Sequence, residues 1–281
     1  MNPEKLTAVI MLVALTFGAG LQVDRERLAA AFKNVNLLVW ALIANFIIIP
    51  ALGVLLAKLF RLPPFIATGF LLMAIAPGVP LVLASVRKRG GSLGFAVALE
   101  LLLPLLSIIT VPLTAALVLP AAAGKIPVGQ FVKTLVLFQL APLLIGIVVG
   151  YRVPTLAQKL ARPLQLIFFI AAIALIAIVF PKLVVSVATV YGSHGMLAML
   201  CLVLLSLAIG WAFGGPAREN RRVLAIGSTL RNIGLCALIA TTSFRDEIQV
   251  IAAVMCYFIV QFICVTLTGI YFTRTAEKSA V

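Results

Sequence analysis

The chain has 281 residues, of which 63% are hydrophobic and only 11% are charged, whereas soluble domains contain about 45–50% apolar residues. This composition excludes a soluble globular domain and predicts an all-α polytopic membrane protein, because about 20 apolar residues cross a bilayer as a helix. The net charge of +14 does not indicate nucleic acid as a partner, since the basic residues lie in short groups between apolar segments, as in the loops of proteins embedded in a lipid bilayer.

Apolar segments follow one another along the whole chain with short connections, which predicts nine transmembrane helices in one transporter domain over residues 1–281. The longer segments have room to tilt or to break within the bilayer. The predicted segments are 6–23, 35–60, 65–85, 93–120, 131–150, 164–190, 196–214, 223–243 and 249–273.

Apart from Arg231, the basic residues are unevenly divided between the two sides of the membrane. Fourteen follow the odd-numbered segments and seven lie on the other side. Because cytoplasmic loops carry the excess of Lys and Arg, the N-terminus is predicted outside and the C-terminus in the cytoplasm, in the cell (inner) membrane. Arg231 belongs to neither group.

The segment starts indicate an inverted repeat. Segments one to four begin near 6, 35, 65 and 93, and segments six to nine begin 156 to 161 residues later. Five spans separate each pair, so paired helices run in opposite directions, as in many transporters. The predicted parts are a first repeat over 6–120, a linking helix over 131–150 and an inverted second repeat over 164–273, although equal spacing also arises by chance in an evenly looped bundle.

The third and eighth segments carry the clearest helix interruptions. The third contains "APGVP", residues 76–80, where two prolines and a glycine remove backbone hydrogen bonds. The eighth contains "STLRNIG", residues 228–234, with Arg231 in its middle. Interruptions at corresponding positions of two repeats point to a binding site near the membrane midplane, and intramembrane charges are usually functional. We therefore expect 77–80 and about 228–234 to be unwound and close together, with a plain proline kink as the alternative at 76–80.

Motifs along nearly the whole chain resemble those of the bile acid:sodium symporter superfamily. They are "FGAGLQVDRERL" in the first segment, "ANFIIIPALG" in the second, "PGVP" in the third, "APLLIGIVVGYR" in the fifth and "RNIGL" in the eighth. The resemblance implies a panel domain and a core domain, two broken helices that cross in the core, and a rocking or elevator-like movement. It also implies an organic anion as the substrate, usually moved with sodium.

Several positions depart from the sodium ligands that the resemblance implies. Val82 and Leu83 stand where the family has Ser-Asn, Gly227 replaces its Glu, and Arg231 replaces the Gln before Asn232. Sodium needs several hard oxygen ligands, so coupling to sodium is not carried over, and no metal or cofactor is predicted.

Glu100 is the only acidic residue deep in an apolar segment, and it falls where the resemblance implies a hydroxyl residue of a sodium site. Since a buried pair costs far less than a lone buried charge, Arg231 is predicted to replace sodium as a fixed cation, balanced at least part of the time by Glu100. A static Glu100–Arg231 pair that only orders the bundle is the alternative. Gln139 and Gln261 either line the site or bond between helices.

The sequence therefore predicts a secondary active transporter of a small organic anion, with a carboxylate as the first candidate substrate and protons as a candidate coupling ion. The alternatives are a receptor or sensor built on a transporter fold and a sodium symporter with a rebuilt ion site. An enzyme is not expected, because HExxH and paired intramembrane aspartates are lacking. The predicted substrate-binding residues are Arg231, Asn232, Glu100, Asn45, Pro77, Gly78, Val79, Pro80, Thr229 and Gly234.

Overall fold

The computed structural model describes residues 2–23, 26, 29, 32, 34–78, 90–120 and 128–277. Within these residues every regular element is a helix. The helices are α1 (Pro3–Leu21), α2 (Val35–Leu59), α3 (Pro64–Ile75), α4 (Leu93–Val118), α5 (Val128–Arg152), α6 (Pro154–Gly192), α7 (Gly195–Phe213), α8 (Arg218–Thr229), α9 (Ile233–Ser243) and α10 (Ile248–Glu277).

Seven helices in the described part of the chain are long and apolar enough to cross a membrane, and all seven coincide with predicted segments. These are α1, α2, α4, α5, α6, α7 and α10. The two remaining predicted segments contain the shorter apolar helices α3 and α9. The all-helical membrane class is therefore confirmed, while nine crossings stay a prediction.

Both predicted interruptions are present, and the second is shorter than expected. α3 ends at Ile75, because a proline disfavours the helical conformation of the preceding residue. α8 ends at Thr229, and α9 begins after Asn232, whose side chain caps the new helix by accepting from the backbone N–H of Leu235 at 3.0 Å. The described non-helical residues are 76–78 and 230–232, so the expectation of unwinding across 228–234 is wrong at both of its ends.

The helices α1, α5 and α6 pack closely on one another. α1 makes its most extensive contacts with α6 and α5. Glycines allow this approach: a Cβ on Gly20 would overlap the carbonyl oxygen of Leu143, and a Cβ on Gly146 would overlap that of Phe17. Elsewhere α7 packs on α8, and α3 packs on α10. The broken helix, which consists of α8 and α9, contacts α1 mainly through α9.

Two of the long helices widen locally into a π-helical turn. The turns are Ala44–Ile48 in α2 and Val136–Leu140 in α5. Each lies just before a proline, Pro50 or Pro142, whose ring clashes with the carbonyl of the preceding turn and removes a helical hydrogen bond. Such turns are frequent at functional sites, and here each one carries a buried amide side chain toward the broken helix.

Candidate substrate site

The two interrupted stretches meet and pair through their backbones. Pro77 and Arg231 form an isolated antiparallel β-bridge. The N–H of Gly78 donates to the carbonyl of Leu230 at 3.2 Å, and the N–H of Asn232 donates to the carbonyl of Ala76 at 3.0 Å. These bonds satisfy backbone groups that the helix breaks would otherwise leave unpaired.

Gly78 is the residue that allows the two stretches to come this close. A Cβ on Gly78 would lie 2.5 Å from the backbone nitrogen of Asn232 and 2.6 Å from its Cα. These atoms belong to the backbone that forms the bridge, so they cannot move aside as a flexible side chain does.

Side-chain amides from α10 and α5 hold the second break in place. Oε1 of Gln261 accepts from the backbone N–H of Arg231 at 3.1 Å. Nδ2 of Asn232 donates to Oε1 of Gln139 at 3.1 Å, and Nε2 of Gln139 donates to the hydroxyl of Ser107 on α4 at 2.6 Å. Gln139 therefore bonds between helices, whereas Gln261 both bonds between helices and lines the cavity described below.

A third amide holds the end of α8. Nδ2 of Asn45, on the π-helical turn of α2, donates to the hydroxyl of Ser228 at 3.1 Å. The neighbouring hydroxyl of Thr229 donates back to the carbonyl of Ala225 in its own helix at 2.8 Å. Three amides on three helices thus fix the broken helix on both sides of its interruption.

Arg231 places a guanidinium in a dry interior. Its side chain is only 3% exposed, and its three guanidinium nitrogens have no hydrogen-bond partner among the described residues. The hydroxyl of Tyr257 on α10 is close enough to interact with the guanidinium electrostatically, but the geometry of a hydrogen bond is not met. A buried cation in this state is costly unless an anion joins it.

Arg231 also lines a small cavity at the meeting point of the two breaks. The volume open to the centre of a water-sized probe is about 20 Å³, so the cavity is small but holds at least one water molecule. Gly78 and Gln261 contribute to its wall. The rest of the wall is apolar and comes from Leu15, Leu230, Ile233, Phe168 and Phe258.

The static pair of Glu100 with Arg231 is not formed. Glu100 is 1% exposed on α4, but none of the guanidinium nitrogens of Arg231 hydrogen bonds to any described residue, Glu100 included. Leu99, next to Glu100 in the chain, belongs to an apolar cluster with Leu224 of α8. The guanidinium of Arg231 instead lies beside Tyr257. That static arrangement, one of the two sequence interpretations, is therefore wrong, and pairing during part of the transport cycle stays a prediction.

The structure brings together only some of the ten predicted site residues. Pro77, Gly78, Arg231 and Asn232 form the paired breaks, and Asn45 reaches α8 one turn away. Thr229 and Gly234 lie in the flanking helices, Gly234 against Leu12 of α1. Val79 and Pro80, as well as Val82 and Leu83, lie outside the described residues. Whether the gathered residues bind substrate stays a prediction.

Two residues near the site were missed by the sequence interpretation. Ser228 was treated only as part of an interruption, and Tyr257 was not singled out, because an aromatic residue in an apolar helix resembles any core residue. The usable signal is the spacing of Tyr257 and Gln261, which are four residues apart and therefore share one face of α10. Among the described residues, no group of three His, Cys, Asp or Glu side chains could hold a metal ion.

Residues 9–192 match the sequence model of the Sodium Bile acid symporter family. The chain belongs to this family. The match includes the first break and ends before the second. The rat protein named sodium/bile acid cotransporter 5 is 25% identical over 221 residues, which is 76% of this chain and 49% of the rat protein. The chain thus spans about half the length of this curated relative, and family membership together with the long apolar helices identifies an integral membrane protein.

Proposed function

We propose that the protein is a secondary active transporter that carries a small organic anion across the cell (inner) membrane by alternating access. The observation that supports this most strongly is the guanidinium of Arg231, which is buried at the paired breaks and finds no hydrogen-bond partner in the described part of the chain. Arg presents several donors in a planar fork that matches a carboxylate. An anionic substrate would therefore remove the cost of the buried cation.

The proposed binding site uses the backbone around the first break as well as the side chain of Arg231. Pro77 and Gly78 would form one wall, Val79 and Pro80 are proposed as further substrate-binding residues, and Asn232 would hold the second break in position. Unwound backbone leaves N–H and C=O groups that a polar substrate can use. In this conformation, the cavity is much smaller than an organic anion such as cholate, so entry of such a substrate would require the helices around it to separate.

Two groups of helices would provide this movement. The proposed panel consists of α1, α5 and α6, which pack closely on one another, and the proposed core contains the other helices, including both breaks. The cavity lies between them, since Leu15 and Phe168 belong to the panel and Phe258 belongs to the core. Nine crossings, with the N-terminus outside and the C-terminus in the cytoplasm, follow from the loop charges.

The proposed transport is not coupled to sodium in the manner that the family resemblance implies. A fixed cation at Arg231 repels sodium from the position where the resemblance places a ligand, and protons are the alternative coupling ion. One observation favours a second candidate, a sodium symporter with a rebuilt ion site. Oδ1 of Asn45 is buried and accepts no hydrogen bond from any described residue, so it remains free to ligate a cation.

Flux into proteoliposomes tests the proposal. The purified chain would be reconstituted and supplied with labelled acetate, lactate, pyruvate, succinate and cholate, at several pH values and with sodium or potassium. Saturable uptake that is lost in Arg231→Gln and retained in Arg218→Gln, which removes an exposed cation of α8, is the expected result. Stabilisation by one of these anions without any flux would favour a receptor and contradict transport.

A further inference from the structure

The cavity at Arg231 has a size that selects its occupant. The volume open to the centre of a water-sized probe is about 20 Å³, which exceeds the minimum for one water molecule. Only a few heavy atoms fit in this space. A halide ion is a single atom somewhat larger than a water molecule. In this conformation, therefore, a small ion such as a halide, or a few water molecules, can occupy the cavity.

The charge at the cavity favours an anion over water. A guanidinium carries only donors, and that of Arg231 finds no acceptor among residues 2–23, 34–78, 90–120 and 128–277. A water molecule would accept one hydrogen bond but leave the charge in place. The amide of Gln261 lines the same cavity, and because its Oε1 already accepts from the backbone of Arg231, it can offer an anion only its Nε2 donor.

The apolar wall limits the charge of the anion to one. Five of the eight lining residues are Leu, Ile or Phe, and Arg231 is the single cation among those eight described residues. A divalent anion would leave one negative charge uncompensated in an apolar surrounding, which is costly. Sulfate is excluded by both its charge and its volume.

We propose that chloride, or another halide, occupies the cavity beside Arg231 when no organic substrate is bound. This inference rests on the proposed function, since the substrate carboxylate would bind the same guanidinium after the cavity has widened. Chloride and substrate would then compete, so chloride would lower the apparent affinity for a carboxylate. The halide would serve as the counter-ion that keeps the closed carrier electrically neutral at its centre.

Thermal unfolding of the purified full chain tests the site without a known substrate. Chloride would replace sulfate stepwise at constant ionic strength, with bromide in parallel. Because sulfate stabilises folded proteins in general, the effect is measured as the difference in Tm between the unmodified protein and Arg231→Gln. We expect a saturable rise in this difference with chloride and bromide, since a ligand stabilises the folded state that binds it. The rise should persist when Arg218→Gln takes the place of the unmodified protein in this comparison.

One result would overturn the inference: an equal effect of chloride, relative to sulfate, on the Tm of the unmodified protein and of Arg231→Gln. If Arg231→Gln does not fold, bromide-soaked crystals of the unmodified protein give the answer, because an anomalous peak next to the guanidinium supports the site and its absence rejects it. Chloride stabilisation without carboxylate flux would retain the halide site and reject transport. Carboxylate flux without any chloride effect would reject the halide site and retain transport.

Discussion

The contact between the two helix breaks makes Gly78→Ala the most informative stability mutation. The added Cβ would lie 2.5 Å from the backbone nitrogen of Asn232, so the bridge must open. Opening it breaks the hydrogen bonds from Gly78 to Leu230 and from Asn232 to Ala76. Each buried group left unpaired costs about 1–3 kcal/mol, so the two bonds together predict a loss of about 2–6 kcal/mol.

Thermal unfolding in detergent measures this loss, with Gly129→Ala as the matched control. A Cβ on Gly129 meets no atom within 4 Å, and alanine is favoured over glycine in a helix by about 0.5–1 kcal/mol. At about 2–4 °C per kcal/mol, Gly78→Ala should lower Tm by about 4 °C or more, while Gly129→Ala should leave it unchanged or slightly higher. Equal Tm values for Gly78→Ala and the unmodified protein would show that the breaks do not touch.

Three further predictions concern the same site. Asn232→Ala should lower the free energy of unfolding by about 2–4 kcal/mol in a denaturant titration, because it removes the cap of α9 and the hydrogen bond to Gln139. A change below about 0.5 kcal/mol, the usual range for surface substitutions, would contradict this role. Arg231→Gln should raise Tm in chloride-free sulfate buffer, because it removes a buried charge, and a lower Tm would mean that the guanidinium is already stabilised. Exchange of sodium for potassium at equal ionic strength should leave Tm unchanged, whereas marked stabilisation by sodium would favour an ion site at Asn45.

Local chemistry made the helix breaks predictable from the sequence. Pro77 and Gly78 prevent a regular helix wherever they stand, and a permanent charge such as Arg231 is rarely placed in an apolar segment without a function. Seven of the nine predicted apolar segments likewise coincide with observed long helices, although α6 begins at Pro154, ten residues before its predicted start. These features depend on residues close together in the chain, and the tertiary structure did not override them.

The partners of the buried polar side chains were not predictable in the same way. The direction of Arg231 depends on how α8 and α10 rotate against each other, which places the guanidinium beside Tyr257 rather than in a pair with Glu100. The length of the second break depends on Asn232, which acts as a helix cap and restarts the helix sooner than expected. Neither property follows from hydrophobicity or from spacing.

The central claim is that Arg231 binds the substrate anion, and equilibrium binding tests it most directly. Calorimetric titration would use whichever of acetate, lactate, pyruvate, succinate and cholate raises Tm most, with the unmodified protein, Arg231→Gln and Arg218→Gln in chloride-free sulfate buffer. Hydrogen bonds to a charged group contribute about 1.5–3 kcal/mol, so Arg231→Gln should weaken binding by roughly 10- to 150-fold, while Arg218→Gln should leave the Kd unchanged. An unchanged Kd in folded Arg231→Gln would contradict the claim and place the substrate elsewhere.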